Sequence, residues 1–265
     1  MVSSAPLVGL AKKPLEKPLR EVGSFIAMSL DTVVQAFRPP FFWREVIEQC
    51  WFIARVATLP AIAQAIAFNG MVVFLFGVAA VSFGAGDING AASGLGTVSQ
   101  IGPVTTVFVL SGAAATAMCA DLGARTIREE LDAMRVLGID PVHRLVVPRV
   151  VALLIMGNLI NGVVCLSGLS ADYAFAVYAL NGNPGAFASS LTLLTNFSTV
   201  VVSFLKASVF GVLAGLIACY KGISAGGGPQ GVGNAVNETV VFTFMALLIA
   251  NIIISVLTAT QTLVT

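Results

Sequence analysis

The chain has 265 residues, 57% of them hydrophobic and 10% charged, with a mean hydropathy of +0.94, whereas roughly 25% charged residues is usual in soluble domains. The composition is that of an integral membrane protein. A net charge of +1 excludes an electrostatic nucleic-acid binder, which needs a basic surface able to neutralise several phosphates.

At the N-terminus Lys12, Lys13, Lys17 and Arg20 are followed by mixed sequence, without the short apolar core and small-residue cleavage site of a secretory signal. Residues 1–40 are therefore expected to be a retained, cytoplasmic segment, to which the sequence assigns no definite order. After Pro39-Pro40, the stretch 41–58 places Trp43, Val46, Ile47, Cys50, Trp51 and Ala54 on one side of a helix. Arg44, Glu45, Glu48, Gln49 and Arg55 fall largely on the other. Such a stripe fits an interfacial amphipathic helix in the membrane plane, or one packed on another protein surface. The two tryptophans favour the headgroup level.

A helix needs about 20 apolar residues to cross a hydrocarbon core of roughly 30 Å. Within 59–265 five stretches qualify, at about 60–82, 98–120, 147–170, 199–220 and 238–260. The basic residues test that number independently. Seven Lys/Arg precede the first span, five lie between the second and third, and Lys221 follows the fourth, while the other connections and the C-terminal tail carry none. The positive-inside rule then predicts a multi-pass protein of the cytoplasmic membrane, N-terminus inside, C-terminus outside, with 121–146 in the cytoplasm. The expected fold is all-α: five spans, an interfacial helix before them, and a short cytoplasmic helix between spans two and three.

Ten charged side chains and the lone histidine, His143, lie between Asp121 and Arg149, which predicts a water-facing island. From Arg125 to Leu137 the apolar Ile127, Leu131 and Met134 recur at i, i+4 and i+7, the spacing of one helix face. Arg125 with Glu129 and Arg128 with Asp132 would form i,i+4 pairs on its polar side. Gly138 supplies a stop, and the Asp140-Pro141 step turns the chain back toward span three. A helix tethered at both ends to spans suits transfer of force from a cytoplasmic partner; a merely solvated loop is the plainer alternative.

Inside the spans, Lys206 costs roughly 2.5–3.5 kcal/mol on insertion scales unless it is accommodated. It is expected to snorkel outward, to pair, or to meet a lipid headgroup or a partner protein. Asn69, Asn158, Asn161 and Asn251 read as interhelical hydrogen-bonding groups, with Asn69, Asn161 and Asn251 also candidates for a substrate or partner contact. Ser111, Ala115, Cys119 and Gly123, and Gly211 with Gly215, recur at four-residue spacing. They allow close helix approach within the chain or against another membrane subunit. The four cysteines form no CxxC pair and read as small buried hydrophobes. The loop 224–234, "SAGGGPQGVGN", lacks the GK[ST] ending and preceding strand of a phosphate loop. It is expected to be a flexible cytoplasmic turn, and no cofactor is expected in this chain.

The run 111–152, "SGAAATAMCADLGARTIREELDAMRVLGIDPVHRLVVPRVVA", resembles the signature of the MlaE/YrbE permease family: a small-residue helix, an acidic element, then L-G-I-D-P and L-V-x-P-R. The run 206–241 is similar to its second signature, K-x-x-x-F-G, C-Y-x-G and G-G-x-x-G-V-G. The resemblance covers about 40–265, and the wording is most like the A-type YrbE permeases of actinobacterial Mce systems. It implies the permease of an ABC transporter moving lipid. The implied partners are a separate ATPase that binds ATP and magnesium, a second YrbE-type permease, and MCE-domain proteins. In that family the acidic element belongs to the helix that couples to the ATPase. By motif position this falls on Arg128, Glu129, Glu130, Asp132, Ala133 and Met134. Glu130 stands where many members have glutamine, which adds a charge facing the partner. Two other classes, an intramembrane lipid-modifying enzyme and a passive scaffold, fit less well. The chain has no HExxH, no GxSxG and no paired carboxylates in its expected spans, and a scaffold has no use for a structured acidic loop.

Overall fold

The computed structural model describes residues 13–84, 89–180 and 182–262. Among these there is no strand, and five helices are long and apolar enough to cross a membrane: Trp43–Ala80, Gly90–Ile127, Val142–Ala179, Phe197–Ile223 and Gly228–Thr258. Each expected span falls on one of these helices, which run beyond it at one end or both. Residues 1–12 and 263–265, including Lys12, lie outside the described residues.

Helix α1 (Lys13–Ala36) is amphipathic and precedes the spans. It docks where the Tyr220 hydroxyl donates to Glu21 O (3.0 Å), Phe25 meets Tyr220 edge-on, and Gln35 Nε2 donates to Asp140 Oδ2 (2.8 Å). Helix α2 (Trp43–Ser82) is continuous through Pro60 for 40 residues. The stretch 41–58 is therefore no separate interfacial helix. Of its stripe, Val46 packs into the core with Cys50 and Ala54 against it, while Trp43, Ile47 and Trp51 remain exposed.

The second spanning helix is built from α3 (Asn89–Gly96), α4 (Gly102–Val109) and α5 (Ala115–Ile127), joined by π-helical turns at Thr97–Ile101 and Leu110–Ala114. A break at Glu129 separates it from α6 (Glu130–Val136). The third spanning helix opens with a π-turn at Val142–Val146, continues as α7 (Val147–Ala174) and ends in a π-turn at Phe175–Ala179. Pro103 and Pro148 each follow such a turn. Proline has no N–H to return to the carbonyl four residues back, and the wider turn absorbs the misfit.

The connection 171–198 is not a plain loop. It contains the end of α7 and a further helix, α8 (Pro184–Leu194), whose N-cap Asn183 accepts from Gly185 N at 2.9 Å. Gly90 and Gly94 let α3 pack directly on α8. Helices α9 (Phe197–Ile223) and α10 (Gly228–Thr262) complete the bundle. The glycine-rich stretch turns only at Ser224–Gly227; from Gly228 onward it is already helical.

The core lies between α2, α5, α7, α9 and α10, with Val107, Leu110, Met118, Leu153, Phe210 and Leu247 at its centre. Side chains small enough to bring backbones together hold it. Gly211 and Gly215 face α7, and Gly123 faces Val232 of α10. Ser111, Ala115 and Cys119 are likewise buried. The small-residue pattern thus serves packing within the chain. All four cysteines are free thiols in helices.

Candidate functional site

One end of the bundle gathers the basic residues between Arg125 and Arg144. Here α5 stops at Ile127 and the chain turns through Glu129, whose φ of 58° is left-handed. The expected continuous helix 125–137 is thus broken, and the pairs Arg125–Glu129 and Arg128–Asp132 do not form. Instead Glu130 meets Arg128 (3.2 Å) and Arg125 (4.0 Å), and Asp132 meets Arg135 (2.9 Å). Magnitudes explain the outcome. Two exposed i,i+4 pairs are worth about 0.2–0.5 kcal/mol each, and a left-handed non-glycine residue costs about 1–3 kcal/mol. The turn folds α6 back so that Leu131, 3% exposed, packs with Leu122, Leu145 and Val146, with Met134 against them. Burying two such side chains contributes about 1.5–3 kcal/mol apiece.

Helix α6 ends as the sequence predicts. Gly138 (φ 75°) donates to Arg135 O at 3.0 Å and Ile139 N to Met134 O at 2.9 Å, the paired bonds of a Schellman motif. Asp140 Oδ1 then accepts from Val142 N at 2.9 Å and starts the return to span three. Of the predicted coupling residues, Arg128, Glu129, Asp132 and Ala133 face outward, Glu130 is half-occupied by its arginines, and Met134 points inward. Sequence reasoning missed Val136 and Leu137, which are 88% and 74% exposed. Their signal was an apolar doublet just before Gly138 that falls off the Leu131–Met134 face.

Arg149, expected in the water-facing island, is fully buried. Its guanidinium donates to Leu145 O (3.0 Å) and to Asp121 Oδ2, joining α7 to α5. Asp121 also faces Arg125 at 3.5 Å. The charged block is therefore part island and part interior.

Toward the opposite end of the bundle, Lys206 of α9 is 2% exposed. It does not snorkel. Its ammonium donates to Ser99 O (2.9 Å) and to Ser255 Oγ (2.8 Å). Ser99 O is the carbonyl four residues before Pro103, so the proline leaves it open to a side-chain donor. Lys206 lines a cavity of about 300 Å³ together with Ser99, Gln100, Ser198, Thr199 and Ser255. Next to it, sharing Leu95, Ser99 and Gln100, lies a second cavity of about 490 Å³ lined mainly by apolar groups including Val72, Phe76, Ile101 and Leu194. A cationic, hydroxyl-lined chamber thus adjoins an apolar one.

The asparagines are dispersed. Asn161 Nδ2 donates to Ser203 Oγ (2.9 Å) while Thr106 approaches its Oδ1 (3.3 Å), tying three spans together. Asn158 pairs with Ser208. Asn251 is 6% exposed, and its Oδ1 meets no donor among the described residues. Asn69 sits with Thr97 and Asp172 in a separate buried group. Asp172 was also missed, because a 20-residue window ends span three at 170 although "SADYAFAVYAL" continues apolar beyond it.

The sequence is similar to those of known membrane transport proteins. The model of the family described as Permease MlaE matches residues 46–257. A probable ABC transporter permease protein of Rickettsia typhi is 29% identical over 256 residues, 96% of this chain and 97% of its own length. A probable ABC transporter permease protein of a Synechocystis strain is 32% identical over 216 residues, 80% and 81% of the two chains. The chloroplastic protein trigalactosyldiacylglycerol 1 of Arabidopsis thaliana is 30% identical over 158 residues, 59% of this chain and 45% of its own. With a bundle of five membrane-length helices and a family match across most of its length, the chain belongs to the MlaE permease family, as a transport subunit of the membrane and not an enzyme.

Proposed function

We propose that this chain is the membrane subunit of an ABC transporter that moves lipid across the cell envelope, driven by a separate ATPase that binds ATP with magnesium and docks on α6. The observation that carries the docking is the exposed apolar pair Val136 and Leu137, with exposed Asp132, Ala133 and Arg135 within one turn before it and exposed Arg128 and Glu129 at the start of α6. An apolar centre with a charged rim is what a protein interface needs. Because Leu131 and Met134 anchor α6 on residues of α5 and of the third spanning helix, force applied there reaches both. Docking on α6 also places this end of the bundle in the cytoplasm, with the N-terminus inside and the C-terminus outside, as the basic residues suggest.

Substitution of Leu137 by glutamate tests this. The side chain is 74% exposed, so the fold should be unaffected, while the ATPase recovered with the tagged chain from its native membrane should fall at least tenfold, equivalent to about 1.4 kcal/mol. Undiminished recovery would remove α6 as the docking element. Glu130→Lys is a poorer probe, because it also breaks the contacts with Arg128 and Arg125.

Lipid is the cargo class suggested by the adjoining chambers, one cationic and one apolar, which match a headgroup and its chains. The name of the chloroplast relative carries a galactolipid. Lys206 is assigned to the headgroup. Lys206→Gln should lower anionic lipid relative to neutral lipid in the purified protein severalfold; an unchanged lipid profile would refute the assignment. The resemblance to Mce-type permeases extends the proposal to a second YrbE-type permease, to MCE-domain proteins, and to import of fatty acid, mycolic-type lipid or sterol.

A further inference from the structure

Asp172 has no part in the transport scheme above, yet it is a carboxyl with 0% exposure inside a spanning helix. It lies one turn beyond Gly168, where a Cβ would stand 2.8 Å from Asn69 Nδ2, so α2 and α7 are in close contact here. The hydrogens of the group can be counted. Asn69 Nδ2 is 2.9 Å from Ala65 O. A carbonyl only accepts, so the amide nitrogen faces Ala65 and Oδ1 faces Thr97 Oγ1 at 3.0 Å. The same Thr97 oxygen is 2.8 Å from Asp172 Oδ2.

A hydroxyl has one hydrogen to give. Were Asp172 ionised, that hydrogen would stand between two acceptors and satisfy one of them. Asp172 Oδ1, which has no partner among the described residues, would be a buried anionic oxygen without a donor, a costly arrangement. With a proton on Asp172 Oδ2 the group closes: Oδ2–H donates to Thr97 Oγ1, Thr97 donates to Asn69 Oδ1, and Asn69 donates to Ala65 O. The remaining Oδ1 is then a neutral carbonyl oxygen.

No cation offers itself instead. None of the ion pairs among the described residues includes Asp172. The other titratable groups of its own helix and the following π-turn are Arg149, Cys165, Tyr173 and Tyr178, and those of α9 are Lys206, Cys219, Tyr220 and Lys221. Arg149, Tyr220 and Lys221 are engaged at the other end of the bundle by Asp121, Glu21 O and Glu238. The ammonium of Lys206 is taken by Ser99 and Ser255. The charged residues of α2 lie at its other end, from Arg44 to Arg55, and α3, α8 and the turn Thr97–Ile101 have none.

We propose that Asp172 is a proton-binding site of the membrane domain, holding its proton at Oδ2 in this conformation through Thr97 and Asn69. The proton and the arrangement are linked, because an arrangement that parts Asp172 from Thr97 and admits water solvates both oxygens without it. Infrared spectroscopy of the full chain in lipid nanodiscs at neutral pH tests the site. The wild type should show a protonated-carboxyl C=O band that disappears in Asp172→Asn, whose amide can still donate to Thr97. Thr97→Val, which removes the acceptor, should shift the band without abolishing it, and it keeps the test decisive should Asp172→Asn fail to fold. Difference spectra in which only carboxylate bands change would overturn the proposal, as would a band indifferent to Thr97→Val.

Discussion

Replacing Asp121 by alanine is expected to destabilise the bundle by about 3 kcal/mol, since removing one partner of a buried ion pair strands the other charge. Arg149 is fully buried. Apart from Asp121 its guanidinium reaches Leu145 O, and its Nε meets no acceptor among the described residues. The loss belongs at the lower end of the usual 3–5 kcal/mol range, because the Asp121 side chain is 34% exposed and water can enter behind it. The informative comparison is the double variant Asp121→Leu with Arg149→Met. An apolar pair of similar volume commonly equals or exceeds a buried ion pair in stability, so the double variant should regain most of what the single one loses. Thermal midpoints of the detergent-purified proteins decide this. A single variant no worse than a surface substitution, or a double variant no better than the single, would mean that the pair does not join α5 to α7 as described.

What the sequence revealed and what it hid follow from the kind of free energy that each feature reports. Spans were legible because about 20 apolar residues reflect transfer into hydrocarbon, a local quantity. Lys206 was legible as an anomaly for the same reason. Its acceptor was not, since Ser99 O is open only because Pro103 follows four residues later and α9 crosses at that level. Arg149 was misplaced because a charge scores as water-loving until its partner 28 residues away is known. The break at Glu129 was hidden because helix periodicity through Ile127, Leu131 and Met134 is satisfied equally by one helix or by two that meet at a turn. Only the burial of Leu131 against Leu145 and Val146 selects the second. Asp172 and the helical start of α10 at Gly228 show the complementary error, in which an apolar window ends before the helix does.

Gly211→Ala is expected to be among the most damaging single-methyl changes in the molecule, at about 3 kcal/mol or somewhat more, beyond the usual range for overpacking because backbone has to move. A Cβ at Gly211 would run into the carbonyl oxygen of Leu153 and would also lie 2.8 Å from its carbon and 2.9 Å from Leu154 Cα. These are main-chain atoms of α7, which no rotamer change can move aside, so α7 and α9 must separate along the seam that also carries Gly157 and Gly215. The intrinsic preference of a helix for alanine, about 1 kcal/mol, runs the other way and is outweighed. Two companions calibrate the result. At Gly215 the nearest atoms are Val150 Cα at 3.1 Å and its Cγ2 at 3.3 Å, so Gly215→Ala should cost less. At Gly112 nothing lies within 4 Å, so Gly112→Ala should be neutral or slightly stabilising. Thermal midpoints in the order Gly112→Ala, Gly215→Ala, Gly211→Ala, from highest to lowest, are the expected series. Equal midpoints would mean that α7 and α9 are not in backbone contact. If the seam is the fixed element of the bundle, then motion driven at α6 must be expressed elsewhere, as in the α5–α10 contact, where Gly123 faces the Val232 side chain and a change of rotamer can accommodate it.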